Sequence, residues 1–285
     1  MNPADRIFNL NCFRFLFCLL YGFFYFFYNL PTHKAFLPVF ELASNQLDLV
    51  IPLYIYQFFN SQVGHLLVMD CWDSLVACSL MIAAFGFKSQ SFTIFALLLF
   101  TFWEVIFTTN TGLFSTPPPF FALLVLALCP AAHEYSFRQL FRGPAESKAR
   151  ESGGYTAISW ILPIAFLNAF ASKTVNGGDS WFNGQAFQSY MLFGHLVLNN
   201  RETIFIAQQN YLCIALGAIA MLIEGSMILL RAFSRTKFLC LVVGLSFHLG
   251  VLWILNLDFI TSFGFIYLIY IDYAAIFKRL SGDLN

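Results

Sequence analysis

An all-α fold, a polytopic membrane bundle of about eight transmembrane helices, is what the sequence predicts, and three observations carry it. The chain of 285 residues is 59% hydrophobic and only 11% charged, whereas a soluble domain carries about 25% Asp, Glu, Lys and Arg. Its 37 phenylalanines outnumber its 15 acidic and 15 basic side chains taken together. A water-soluble protein so composed would expose a large apolar surface and aggregate, and the mean hydropathy of +0.71 points the same way. Apolar runs of near-spanning length recur from one end of the chain to the other.

The first run, 13–30, is long and aromatic, and more runs follow it, so it reads as a resident span rather than a cleaved signal peptide. Segment 36–59 is apolar but broken by Pro38 and Pro52, and it carries Glu41 and Asp48. It is expected to be interfacial or re-entrant on the outer side. Runs 66–87 and 91–108 supply the second and third spans. Pro117-Pro118-Pro119 opens the fourth, 119–133, where a helix start tolerates the missing amide proton. Run 156–172 is the fifth, and 211–230, 237–256 and 259–276 complete the set. Between them, 173–210 is the longest outer stretch, with Gly177-Gly178-Asp179, Trp181 and Asn183-Gly184. Long loops inside compact membrane domains are usually functional, so a substrate mouth is expected there.

With eight spans and an internal amino terminus, eleven basic residues fall inside: Arg6, Lys88, Arg138, Arg142, Lys148, Arg150, Arg231, Arg235, Lys237, Lys278 and Arg279. Only Lys34, Lys173 and Arg201 fall outside. That positive-inside bias places both termini in the cytoplasm. A multi-pass protein of the cell membrane, or of the inner membrane in a bacterium, is expected, with the lipid bilayer as its first partner. The net charge is zero and no basic tract is present, which argues against a nucleic-acid partner. None of the seven cysteines stands in C-x-x-C spacing, so neither a dithiol motif nor a thiolate metal site is expected. Residues 1–285 are expected to form one domain, without a soluble lumenal or periplasmic domain.

A charge at membrane depth costs at least ~2.5–3.5 kcal/mol, so it needs a partner, a cavity or a function. The residues concerned are Arg14, Asp70, Asp73, Glu104, His133, Lys173, Glu224, His248, Asp258 and Asp272. Asp70 and Asp73 share one helix face and suit pairing with a basic group, whereas Glu104, Asp258 and Asp272 lie near span ends and can snorkel. Glu224 and His248 lie deep in neighbouring runs and must face the bundle interior. Either they bond to each other and lock two helices, or they line a proton-handling or ligand-binding cavity. Lys173, at the outer end of the fifth run, either snorkels or is desolvated and serves as a base.

In order along the chain come Phe13-Arg14-Phe15-Leu16-Phe17, then Pro130-Ala131-Ala132-His133-Glu134-Tyr135-Ser136, then Phe170-Ala171-Ser172-Lys173 with Trp181-Phe182-Asn183-Gly184, and finally Phe247-His248 leading to Phe259, Phe263 and Phe265. This series resembles the HTTM domain, the membrane portion of the vitamin K-dependent gamma-glutamyl carboxylase family, over about residues 6–276. The resemblance implies base chemistry at Lys173 and a supporting role for His133. It also implies a reduced vitamin K or menaquinol-type quinone as cofactor. Lys173, His133 and His248 are accordingly the candidate catalytic residues, and Trp181 and Glu224 the candidate cofactor contacts. A separate soluble or membrane subunit is a further expected partner. The charge count puts Lys173 outside and His133 toward the inner end of its span, so either a span tilts or breaks or the two do not share a site.

Three functions remain open on the sequence: a gamma-carboxylase-like membrane enzyme using a lipophilic quinone, a non-catalytic accessory protein in peptide maturation or export, and a proton-coupled transporter.

Overall fold

The computed structural model describes residues 2–29, 62–111, 117–144, 153–196, 202–233, 235–255 and 259–282. Segment 36–59, Lys34, Lys148, Arg150, Arg201 and Asp258 lie outside the described residues, as do the side chains of Asp70, Asp73 and Glu104. The described residues are helical and contain no strand. Among them, four helices are long and apolar enough to cross a bilayer: Pro3–Phe27, Gly154–Trp181, Asn210–Ala232 and Lys237–Ile254. Shorter apolar helices cover Ser74–Phe85, Ser89–Thr101 and Pro118–Leu128. The chain divides into two compact units, one of Met1–Tyr155 with Asp272–Asn285 and the other of Thr156–Ile271.

The first unit is built on α1, Pro3–Phe24, which continues as a π-helical turn over Tyr25–Asn29. Asn2 caps α1 by accepting the Asp5 amide at 2.7 Å, and Pro3 stands where a helix needs no donor. Phe13, Phe17 and Tyr21 recur every fourth residue, so their rings stack along one face at 5.3 and 5.4 Å. α1 packs on α2, Gln62–Phe85, where a Cβ at Gly22 would meet Leu80 Cβ at 3.1 Å. The approach of the two helices is set by that glycine. α3, Ser89–Thr111, pairs with α2 and with α4, Pro117–Leu128.

The run 119–133 does not continue as one helix. Pro130 disfavours helical backbone at the residue before it, and Cys129 is extended at φ −108° and ψ 96°. A 3-10 turn, Pro130–His133, and the single-turn α5, Phe137–Leu140, follow.

The second unit contains most of α6, Gly154–Ser172, with Pro163 inside it. Proline has no amide proton and therefore orphans the carbonyl four residues earlier, that of Ser159. The Tyr270 hydroxyl donates to this carbonyl at 2.8 Å, and Arg231 donates to the Ser159 hydroxyl from Nε at 2.9 Å and Nη2 at 2.5 Å. The carbonyl and the hydroxyl of Ser159 are thus fastened to two other elements of the unit. α6 opens into a π-helical turn, Lys173–Gly177, and a 3-10 turn, Gly178–Trp181. Then come α7, Gln185–Leu196, α8, Glu202–Ala207, α9, Asn210–Ala232, and α10, Lys237–Leu255. Leu222 and Leu229 of α9 and Trp253 of α10 are exposed, as side chains facing lipid would be.

The run 259–276 is also not a single helix. It forms α11, Ile260–Phe263, a 3-10 stretch, Gly264–Tyr270, and, after an extended Ile271, α12, Tyr273–Gly282. The break has a polar cause within the first unit. Asp272 Oδ1 accepts the Ala275 amide at 3.2 Å and an Asn9 amide proton at 3.0 Å, while Asn9 Oδ1 accepts the Ala274 amide at 2.8 Å. Asp272 therefore caps a helix and anchors it to α1 instead of snorkelling.

Candidate functional site

The widening of α6 into a π-helical turn begins at Lys173. Such single-turn insertions rotate the side chains that follow and are frequent at functional sites. Lys173 Nζ donates to Glu224 Oε1 on α9, forming an ion pair, and sits 4.9 Å from the centre of the Trp181 ring. An ammonium over an indole face is attracted by the ring quadrupole. The Lys173 side chain is 22% exposed and that of Glu224 4%. Glu224 Oε2 is buried and has no hydrogen-bond partner among the described residues.

Trp181 reaches this position because glycines clear its path. A Cβ at Gly177 would meet the indole at 2.5 Å, and a Cβ on Gly217 of α9 would meet the Trp181 carbonyl at 2.7 Å. Gly184, at φ +83°, turns the chain into α7, whose Tyr190 packs on the indole at 5.6 Å.

His248 enters from α10. Its Nδ1 shares a hydrogen bond with the Tyr267 hydroxyl at 3.1 Å, and a Cβ at Gly244, one turn earlier, would overlap the Tyr267 ring. The imidazole stacks with the rings of Phe166 and Phe259, at 5.2 and 5.9 Å, with Phe263 at 4.8 Å. Neither of the two polar residues bonds the other: Glu224 takes Lys173 and His248 takes Tyr267.

Lys173, Trp181, Glu224 and His248 together line one cavity of about 210 Å³ in the second unit. The rest of its wall is apolar or aromatic, including Phe166, Phe187, Phe259 and Phe263. This volume exceeds the ~150 Å³ of a cavity that holds benzene and falls below the ~300–1,000 Å³ of sites for drug-sized ligands. A second, largely apolar hollow of about 430 Å³ is lined by α7, α9 and α10 and shares Phe187, Ala220, Phe247 and Val251 with the first, with Ser246 the one hydroxyl among its described lining residues. Among the described residues no group of three His, Cys, Asp or Glu is close enough to hold a metal ion.

His133 belongs to the first unit and has different neighbours. Its Nε2 bonds the Leu126 carbonyl at 2.8 Å and must therefore donate, which leaves Nδ1 to accept from the Ser89 hydroxyl at 2.8 Å. Ser89 Oγ in turn accepts from Arg14 at 2.7 Å, and Arg14 also donates to the Tyr135 carbonyl at 2.8 Å. Asn11 ties the same segment to α1, donating to the Ala131 carbonyl at 2.7 Å and accepting the Tyr135 amide at 3.1 Å. The arginine of α1 and the His133 segment thus form one buried polar clasp.

Sequence reasoning singled out Lys173, Trp181, Glu224 and His248 but not Tyr267, Tyr190 or the Ser159–Arg231–Tyr270 fastening. The one available signal for the last was Pro163, whose freed carbonyl demands a donor. Comparison with known proteins finds no matching family model, curated protein or solved structure.

Proposed function

We propose that the protein is a multi-pass membrane enzyme whose second unit binds a lipophilic, ring-bearing molecule and performs acid–base chemistry on it at the Lys173–Glu224 pair. The observation that carries this is the convergence of an ion pair, a histidine and an orphaned carboxylate oxygen on one aromatic cavity. A structural ion pair needs no such hollow beside it. A cavity dry enough to strengthen electrostatics and lined with a few convergent polar groups is the form that small-molecule sites take.

A quinol-type cofactor, as the HTTM resemblance implies, fits the residues present. Phe166, Phe259 and Phe263 offer ring faces, and the free acceptor of Glu224 suits a ring hydroxyl. Bound there, a reduced quinone supplies an acidic hydroxyl and a ring that can be oxidised. Trp181 and Lys173 hold the polar edge, and the phenylalanines exclude water. The adjoining apolar hollow suits an isoprenoid tail. Both termini are cytoplasmic on this proposal, and a separate subunit presents any polypeptide substrate.

Titration of the detergent-purified protein with a short-chain naphthoquinone, followed by tryptophan quenching, tests this. Saturable quenching that is lost in Trp181→Phe and weakened in Ala169→Trp is expected. Quenching that rises linearly and equally in all three proteins refutes it.

A further inference from the structure

We propose that the proton acceptor of this site is Glu224 Oε2, and that Lys173 acts as the fixed cation which stabilises the oxyanion formed on a ring-bearing hydroxyl compound. The assignment rests on the cavity being a ligand site, and it says which member of the pair takes the proton.

The two partners are unequal. Lys173 Nζ is engaged on both sides, by Glu224 Oε1 and by the face of Trp181 at 4.9 Å. As an ammonium it has donors and no lone pair. Glu224 has one oxygen committed to Lys173 and one that is buried and accepts nothing among the described residues. Among the described residues the other titratable groups on the cavity wall are Tyr190 and His248; with the Tyr267 hydroxyl donating to His248 Nδ1, the imidazole proton sits on Nε2, which donates. Glu224 Oε2 is therefore an open carboxylate acceptor, and an unmatched buried acceptor is a place where a ligand donor gains free energy.

Charge balance favours the same direction. When a ligand hydroxyl gives its proton to Oε2, the O–H bond breaks and its electron pair stays on the ligand oxygen. The new O–H bond makes Glu224 a neutral acid, and the negative charge has moved to an atom beside the same ammonium. One ion pair replaces another and no net charge appears in the cavity. Were neutral Lys173 the base, the cavity would carry an uncompensated carboxylate before the transfer and a second anion after it. Burying an unpaired charge is far less favourable than exchanging one pair for another.

A nitronaphthol, whose ionised form alone absorbs in the visible, serves as probe at a pH where it is un-ionised in detergent. Binding is measured separately by equilibrium dialysis. With the wild-type protein the visible band of the bound anion is expected. Glu224→Gln should bind the probe yet lose at least ten-fold of that band. Lys173→Arg should keep it, because a guanidinium remains a cation and never serves as a base. Should Glu224→Gln not fold, Lys173→Arg decides alone. Loss of the band in Lys173→Arg with its retention in Glu224→Gln overturns the assignment and makes the lysine the base. Wild-type binding without any band overturns the assignment but leaves the cavity a ligand site. No binding by the wild type refutes the ligand site and the assignment together.

Discussion

Replacing Lys173 with Met should destabilise the protein far more than replacing Glu224 with Gln, although both break the same ion pair. The Glu224 side chain is 4% exposed and its second oxygen has no donor among the described residues, whereas the Lys173 side chain is 22% exposed and rests on Trp181. Lys173→Met strands a buried carboxylate, and removing one partner of a buried pair costs about 3–5 kcal/mol. Glu224→Gln leaves an ammonium that can reach outward and keeps a cation–π contact of about 0.5–2 kcal/mol. Its cost should be correspondingly smaller, because no charge is left buried without a partner. At roughly 2–4 °C per kcal/mol for domains of this size class, Lys173→Met should lower Tm by on the order of 10 °C and Glu224→Gln by only a few degrees. Thermal unfolding in one mild detergent at one pH is the assay. The double variant Lys173→Met with Glu224→Met removes both charges and should recover most of the loss, since apolar replacement of a buried pair is often neutral. Equal Tm values for the two single variants, or a double variant no better than Lys173→Met, would refute the buried-pair reasoning.

Gly217→Ala places a Cβ 2.7 Å from the Trp181 carbonyl, which cannot yield without moving the turn. A loss of about 1–3 kcal/mol is expected in thermal unfolding, together with a shift in tryptophan emission. Tyr267→Phe leaves His248 Nδ1 without its partner and should cost about 1–3 kcal/mol. The His133 clasp should show on truncation: His133→Ala leaves the Ser89 hydroxyl and the Leu126 carbonyl without the imidazole and should cost about 1–3 kcal/mol in thermal unfolding, and an unchanged Tm contradicts the assignment.

Much of the site was legible because lipid leaves few alternatives. Glu224 and His248 stand in runs otherwise apolar, and each had to face inward, which is where the cavity lies. Their partners were not legible. Which of Lys173, His248 or Tyr267 meets Glu224 depends on helix rotation and on the π-helical turn at Lys173, and neither leaves a periodicity that can be read. His133 and Arg14 stood in recognisable motifs, yet it is Ser89, an ordinary serine at a helix start, that joins them. The division of 119–133 was written in Cys129-Pro130, while that of 259–276 depended on Asn9, far away in the chain, reaching Asp272. Hydropathy marks where a segment is apolar and gives little warning of where polar contacts will break its helix.

Whether the cavity of the second unit holds a ring-bearing lipid is tested most directly by mass spectrometry of the molecules that remain with the protein after purification in mild detergent. Wild-type protein should retain a quinone in near-stoichiometric amount, and Ala169→Trp, which fills the cavity beside Lys173, should lose it while keeping its phospholipids. Phospholipid alone in both proteins would contradict the proposal.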